Sequence, residues 1–533
     1  MSLAVSLIGA ITLALGLAIY KLIFNIPRLP SYIPGPPSPS WVAGNVIDIL
    51  GNQERMGGLE SQWYRQYGAT IKTKGTFGRD ILMTSDTRAL HYILNATGYR
   101  YEKPQEMTIS MTAIAGPGLP TVNGMVHQRQ RKMFSPAFSE SRLRTFTPVI
   151  QRVSKNLSTG IRNSLGKNGN VVNVHLWFGR AALDAIGEAG FSHCFNTLLE
   201  GDCEISKTLH HIFDDTGASK SKVFRVVMWA LENFPVLQEL SARSPVGINV
   251  HFANFKSRSK DLVADVVRSA KQSVGDDEVK DMLSILVRAN QGEDAKKKLS
   301  DEELLAQAAS LIVGGQESSG TTLAWIFYYL GTNIEIQEAI RQEISDIRAR
   351  IGMDAQLSIQ DYNGMVMLNM VIKETLRMHP IQSKLTRAAQ VDDIVPLGEP
   401  LLTADGRTIN HIPIKKGQVV ECDAHGYNRN PAVWGPDAQI WKPQRWEEKM
   451  KNPVNAVFGS SLTFGAGPRG CIAWRFAVME IQAYTTEMLE NFKFEPSEDT
   501  NAVVAGPGLF SSPRLLGRGG DAQMPLIVTP LRS

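Results

Sequence analysis

Cysteine is scarce. The chain has four in 533 residues, Cys194, Cys203, Cys422 and Cys471, with no CxxC pair and no spacing that suits a zinc site. That excludes a disulfide-stapled or zinc-stapled scaffold and fits a reducing compartment. Excess charge is also missing: the formal balance is +4 over the whole chain, too small to mark a nucleic-acid binder. From about residue 45 onward there is no long Ser/Gly/Pro linker, low-complexity block or internal repeat. One large, mainly helical domain is therefore expected, rather than the several that length alone would suggest. Cys194, Cys203 and Cys422 read as small buried hydrophobes.

Charge is absent outright between Leu3 and Ile19, and Tyr20 to Phe24 extend the run with only Lys21 charged. A bilayer-spanning helix needs about 20 mostly apolar residues, so residues 1–25 are predicted to be a transmembrane anchor. A cleaved signal peptide is disfavoured because no basic segment precedes the apolar run and no small-residue cleavage site follows it. Lys21 and Arg28 lie on the carboxyl side, which predicts a cytoplasmic domain and sequons at Asn95 and Asn156 that stay unmodified. Residues 26–45, with Pro27, Pro30, Pro34, Pro36, Pro37 and Pro39, read as a proline-rich hinge. Residues 46–533 would form the catalytic domain.

Polar groups then turn up where apolar ones are expected. Ser300-Asp301-Glu302-Glu303 reads as a capping box that opens a long, nearly uniformly apolar helix. Its middle holds Gly314, Gly315, Gln316, Glu317, Ser318 and Ser319. Glycines there cost about 1 kcal/mol each relative to Ala, and a buried Glu must be paired or used, so an active-site wall is expected. In a second apolar helix ending at Pro380, Glu374 and Arg377 share a face at i and i+3. Their apolar neighbours predict a buried network, with Arg445 as third member. A third helix follows Asn123-Gly124 and aligns His127 with Arg131 at i and i+4, two donors able to grip carboxylates.

The run Phe464-Gly465-Ala466-Gly467-Pro468-Arg469-Gly470-Cys471 admits two readings. It satisfies GxGxxG, a dinucleotide fingerprint that should open a βαβ unit. Only about sixty residues follow, however, with Pro507, Pro513 and Pro525 among them. A cysteine ahead of a helix sees the positive end of its dipole, which favours thiolate. The thiolate-loop reading is preferred.

Taken in order, these residues resemble the cytochrome P450 superfamily, in its fungal, microsomal, reductase-dependent form. The family's FxxGxRxCxG motif is matched at Phe464, Gly467, Arg469 and Cys471, with Ala473 in place of the last Gly. The ExxR motif falls on Glu374 and Arg377, the PERF-like Arg on Arg445, and WxxxR on His127 and Arg131, with His replacing Trp. Arg387 stands ten residues after the ExxR arginine. The oxygen-helix pattern fits Gly314, Gly315 and Glu317, with Ser318 where Thr is usual.

The resemblance implies a mainly α fold with small β-sheets (α+β) carrying an amino-terminal transmembrane helix. It implies haem b with Cys471 as the iron's thiolate ligand, in a loop shaped by Phe464 and Gly467. His127, Arg131, Arg387 and Arg469 would bind the propionates, while Glu317 and Ser318 would relay protons. Electrons would come from NADPH through a separate NADPH–cytochrome P450 reductase, with Arg129, Lys132 and Arg475 as candidate docking charges. The protein would then be a single-pass endoplasmic-reticulum membrane monooxygenase facing the cytoplasm. It would use O2 on a lipophilic, terpenoid-like secondary metabolite. Substrate contacts would come from 104–124, 210–250, Ala308 to Gly315, Ile381 to Leu385 and the turn near Phe510. Two rivals are a reductase-independent isomerase or dehydratase on the same fold, and a flavin or nicotinamide dehydrogenase using the glycine run.

Overall fold

The computed structural model describes residues 26–49, 55–165, 170–214, 237, 248–272, 281–294, 297–448, 450–506, 510–518 and 521–531. The expected anchor, residues 1–25, lies outside them, as does most of 210–250. Among the described residues no helix is long and apolar enough to cross a membrane. The architecture is mostly helical with small sheets, as expected.

Seven helices position the site: α1 (Gly124–Phe134), α2 (Glu140–Ser164), α3 (Val174–Phe191), α4 (Glu204–Asp214), α5 (Asp301–Thr332), α6 (Val366–Met378) and α7 (Trp474–Asn491). The capping box that opens α5 is present: Ser300 Oγ accepts from the Glu303 amide at 3.2 Å, and Glu303 Oε2 accepts from the Ser300 amide at 2.9 Å. Glycines let α5 lie close on α3. A Cβ at Gly320 would stand 2.9 Å from the Gly179 backbone, and one at Gly315 would stand 3.1 Å from Ile186. Phe178 of α3 stacks on Phe327 of α5 at 4.9 Å. With α2 and α7 these helices enclose the main apolar core.

Five strands make the larger sheet: β1 (Thr70–Lys74), β2 (Asp80–Thr84), β3 (Tyr101–Glu102), β4 (Lys384–Ala389) and β5 (Val419–Asp423), ordered β1-β2-β5-β4-β3. Only β2 and β5 run parallel. The β3–β4 register sets Glu102 opposite Ala388, beside Arg387. The proline-rich stretch packs on this sheet rather than standing free. Leu29 and Ile33 are buried, the Leu29 amide donates to Asp80, and Pro34 accepts from the Lys72 amide at 2.8 Å.

Asn95 has its side-chain amide donating to the Val454 carbonyl at 2.6 Å.

Glu480 of α7 is 1% exposed and its Oε1 has no hydrogen-bond partner. Burial pushes its carboxyl up to about 8, against the opposing hydrogen bonds of Ser319 and Tyr484. The folded state holds this proton more tightly than the unfolded chain does. Its stabilising contribution is therefore whole below the ordinary glutamate range and is lost as pH rises through the folded value. Glu480→Gln is expected to melt progressively above the wild type as pH rises from about 5 to about 8, followed by circular dichroism. A melting gap that stays constant over that range would contradict a buried neutral acid.

Candidate active site

The cysteine loop starts on a sixth strand, β6 (Ser461–Ala466), passes through a 3-10 turn at Gly467–Arg469, and reaches Cys471 three residues before α7. Gly467 has φ +65°, and a Cβ there would fall 1.9 Å from the Leu94 carbonyl oxygen. Only glycine fits. Ala473 has φ −92° and ψ 7°, ordinary for alanine, so the departure from the family's glycine strains nothing. The Cys471 amide donates to the Phe464 carbonyl at 2.8 Å and closes the loop. Phe464 meets Phe458 edge-on at 5.8 Å. Burial pushes the Cys471 thiol up, while the Ala473 amide and Arg131 pull it down. Arg131 also donates to the Gly470 carbonyl at 2.6 Å.

This geometry overturns the dinucleotide reading of the glycine run. Among the described residues β6 pairs only with Ala456–Phe458, antiparallel, in a two-stranded ribbon. A dinucleotide turn needs a parallel βαβ unit behind it.

Cations gather beside the loop. His127 and Arg131 come from α1, Arg387 from β4 and Arg469 from the loop itself. His127 is buried, its Nδ1 is 2.8 Å from the Tyr99 hydroxyl, and burial with the neighbouring Arg469 pulls it down to about 3. It is therefore a neutral hydrogen-bonding group. Arg387 is buried, donates among the described residues only to its neighbour's carbonyl at Thr386, and is pulled down to about 10 chiefly by burial. Arg469 pairs with Glu102 and donates to Asn123 Oδ1 at 2.8 Å, but its buried Nε has no partner among the described residues.

The sequence reading missed two members of this group. Lys103 donates to the Pro120 carbonyl, and burial with Arg387 and Arg469 nearby pulls it down to about 7. Glu102 also accepts from the Gly124 amide at the start of α1, at 2.9 Å. Among the described residues Glu102 is the one carboxylate paired with any of these cations. A buried surplus of guanidinium groups, one nitrogen of it unpartnered, calls for an anion with more than one carboxylate. Haem, with its two propionates, fits that demand.

The wall formed by α5 divides its polar residues. Gly314 is exposed, with nothing within 4 Å of where a Cβ would sit, and Ser318 Oγ donates to the Gly314 carbonyl at 2.6 Å. Gly314 thus leaves open space, whereas Gly315 serves packing against α3. Glu317 is 4% exposed. Its Oε1 accepts from Ser512 at 2.6 Å and Thr321 at 3.3 Å, and lies 3.4 Å from His175 Nε2. Burial alone would raise this carboxyl, but His175, Ser512 and His210 together hold it at about 2. The helix Gln105–Ala115 and the turn after it border the same wall. Gln307 accepts from the Leu119 amide at 3.1 Å. Ile381 joins Ser511, next to Phe510, through a 3.0 Å backbone bond.

Glu374, Arg377 and Arg445 come together as one buried network. Two bonds of 2.8 and 2.9 Å join Arg377 to Glu374, and Arg445 Nε reaches Glu374 at 2.9 Å. Arg377 also donates to the carbonyls of Asn428, Ala438 and Ile440, while Trp446 Nε1 donates to Glu374 at 3.1 Å. Of the candidate docking charges, Arg129 is engaged within the fold by Glu303 and the Lys298 carbonyl. Lys132 is exposed, and Arg475, also exposed, lies over the Trp474 ring at 4.1 Å.

A family model described as Cytochrome P450 matches residues 34–514. Cytochrome P450 monooxygenase 205 of Postia placenta is 29% identical, over 97% of this chain and 96% of its own length. Cytochrome P450 monooxygenase claQ of Ampulloclitocybe clavipes is 30% identical, over 93% and 92%. A ganoderic acid synthetase of Ganoderma lucidum is 28% identical, over 87% and 88%.

Proposed function

The chain belongs to the cytochrome P450 family of haem-thiolate monooxygenases, and from that premise we propose that Cys471 ligates the haem iron and that the enzyme oxidises a lipophilic secondary metabolite. The observation that carries the ligand assignment is the meeting of a half-buried cysteine with an under-neutralised cluster of cations at one loop. Arg131, Arg387 and Arg469 would hold the propionates, with His127 as a neutral donor and Lys103 beside them. The bound haem supplies dioxygen activation and insertion of one oxygen atom into the substrate.

The chain's own residues do the rest. Ser318 presents a hydroxyl at the opening left by Gly314, and its bond to the Gly314 carbonyl fixes that hydroxyl's direction. Glu317 behind it is an ionised carboxylate able to take up and release a proton. Ser318→Ala is expected to keep NADPH consumption within about twofold while product per NADPH falls roughly tenfold and peroxide rises. Unchanged product yield would remove Ser318 from proton delivery.

The substrate class is supported by the small and mostly apolar character of Ala308 to Gly315, and by a relative named for ganoderic acid synthesis. Electrons are proposed to come from NADPH through a separate reductase, with Lys132 and Arg475 as the docking charges still exposed. Residues 1–25 are proposed as the membrane anchor, on the strength of their uncharged run. The test is reconstitution with NADPH and a P450 reductase under isotopically heavy dioxygen. One heavy oxygen atom in a lipophilic product supports the proposal. Turnover that is indifferent to the reductase would favour an isomerase or dehydratase.

A further inference from the structure

Behind Glu317 the fold sets a row of groups that proton delivery by Ser318 and Glu317 alone does not use. His175 opens α3 and is buried, with Nε2 placed 3.1 Å from Thr321 Oγ1 and 3.4 Å from Glu317 Oε1. His210, on α4, has a buried Nε2 with no hydrogen-bond partner among the described residues and feels the charges of both Asp202 and Glu317. Asp202 is paired with Arg180 through bonds of 2.9 and 3.0 Å and takes a third from Ser206 at 3.2 Å. It is partly open to solvent, at 25% side-chain exposure. Among the described residues, the other hydrogen bonds to the Glu317 carboxylate come from the hydroxyls of Thr321 and Ser512.

A carboxylate this deeply buried takes up a proton unless a cation or strong donors hold it ionised. Ser512 and Thr321 supply neutral hydrogen bonds, which favour the ionised form only modestly. His175 is the one ring nitrogen among the described residues in ion-pair contact with Glu317.

We propose that His175 is a positioning residue for proton delivery: it keeps the Glu317 carboxylate ionised and aimed, and replaces each proton that Glu317 passes toward Ser318. A proton leaves Nε2 for Oε1, leaves Glu317 toward Ser318, and is restored to His175 from solvent. No electron moves in these steps. The inference rests on the monooxygenase reading above and adds residues to its proton path.

The test uses the full-length, haem-loaded protein. Infrared difference spectra with isotope-labelled glutamate report whether Glu317 is protonated, independently of turnover. At neutral pH His175→Gln is expected to gain a protonated-carboxyl band that is absent from the wild type and lost again on adding Glu317→Gln. Product per NADPH should fall by roughly an order of magnitude, less than the loss of a general acid itself. His175→Lys, which places a cation there, should restore both the ionised carboxylate and most of the yield. No band and no change in yield, or a Lys variant as impaired as the Gln one, would reduce His175 to a packing role. If His175→Gln holds no haem, Ser512→Ala takes its place. It removes only a neutral bond and should leave the carboxylate ionised, and a protonated band there overturns the proposal. Failure of the monooxygenase reading looks different, because the wild type would then lack the thiolate-type carbon monoxide spectrum that a failed His175 proposal leaves intact.

Discussion

Arg377→Ala is expected to yield almost no folded, haem-loaded protein. Arg377 is fully buried and its guanidinium supplies bonds to Glu374 and to the carbonyls of Asn428, Ala438 and Ile440. Truncation leaves Glu374 buried with only part of its countercharge, and breaking a buried pair from one side costs about 3–5 kcal/mol. The carbonyls left behind add about 1–3 kcal/mol for each one that water cannot reach. Against a typical stability of about 5–15 kcal/mol, that sum is decisive. Arg377→Lys should rescue little, because an ammonium cannot span a bidentate carboxylate and three carbonyls at once. Soluble yield and haem content per mole of protein are the measurements. Yields within about twofold of wild type for Arg377→Ala would mean that the network is dispensable.

Cys471→Ala is expected to do the opposite to the fold and as much to the activity. The loop is held by backbone and neighbours rather than by the thiol: the Cys471 amide on Phe464, Arg131 on the Gly470 carbonyl, and Gly467 against Leu94. Alanine keeps all of these. The variant should melt within a few degrees of the wild-type apoprotein, since a side chain that is small costs little when truncated. Turnover should nevertheless fall below detection, because the loop offers no second thiol: Cys422 is buried in β5, where burial pushes its thiol up to about 12, while Cys194, exposed rather than buried as expected, and half-buried Cys203 lie between α3 and α4. Residual turnover above about one per cent of wild type would place the ligand elsewhere.

The pattern of these two sites explains what the sequence made legible. Glu374 and Arg377 announced themselves because charge stood among apolar residues on a helix, and Gly314 to Ser319 because polarity interrupted a helix apolar on every side. Both signals are local violations of a periodic pattern, so they survive without knowledge of the fold. Lys103 and Glu102 gave no such signal. They sit in Arg100-Tyr101-Glu102-Lys103, which reads like any solvated turn, and their burial comes from the pairing of β3 with β4 across nearly three hundred residues. His175 was silent for the same reason, its partner Glu317 being remote in the chain. Arg129 misled in the other direction: its place on a basic helix suggested a free docking charge, while α5 supplies Glu303 to bind it. The two adjacent glycines of α5 looked equivalent in sequence, and only the approach of Ile186 separates the packing glycine from the open one.

The central claim is that Cys471 supplies a thiolate to haem iron. The carbon monoxide difference spectrum of the reduced protein tests it most directly. The wild type should show the strongly red-shifted Soret band of thiolate ligation, and Cys471→Ala should lose that band while remaining folded. An unshifted band in the wild type, or a red-shifted band that persists in Cys471→Ala, would contradict the claim.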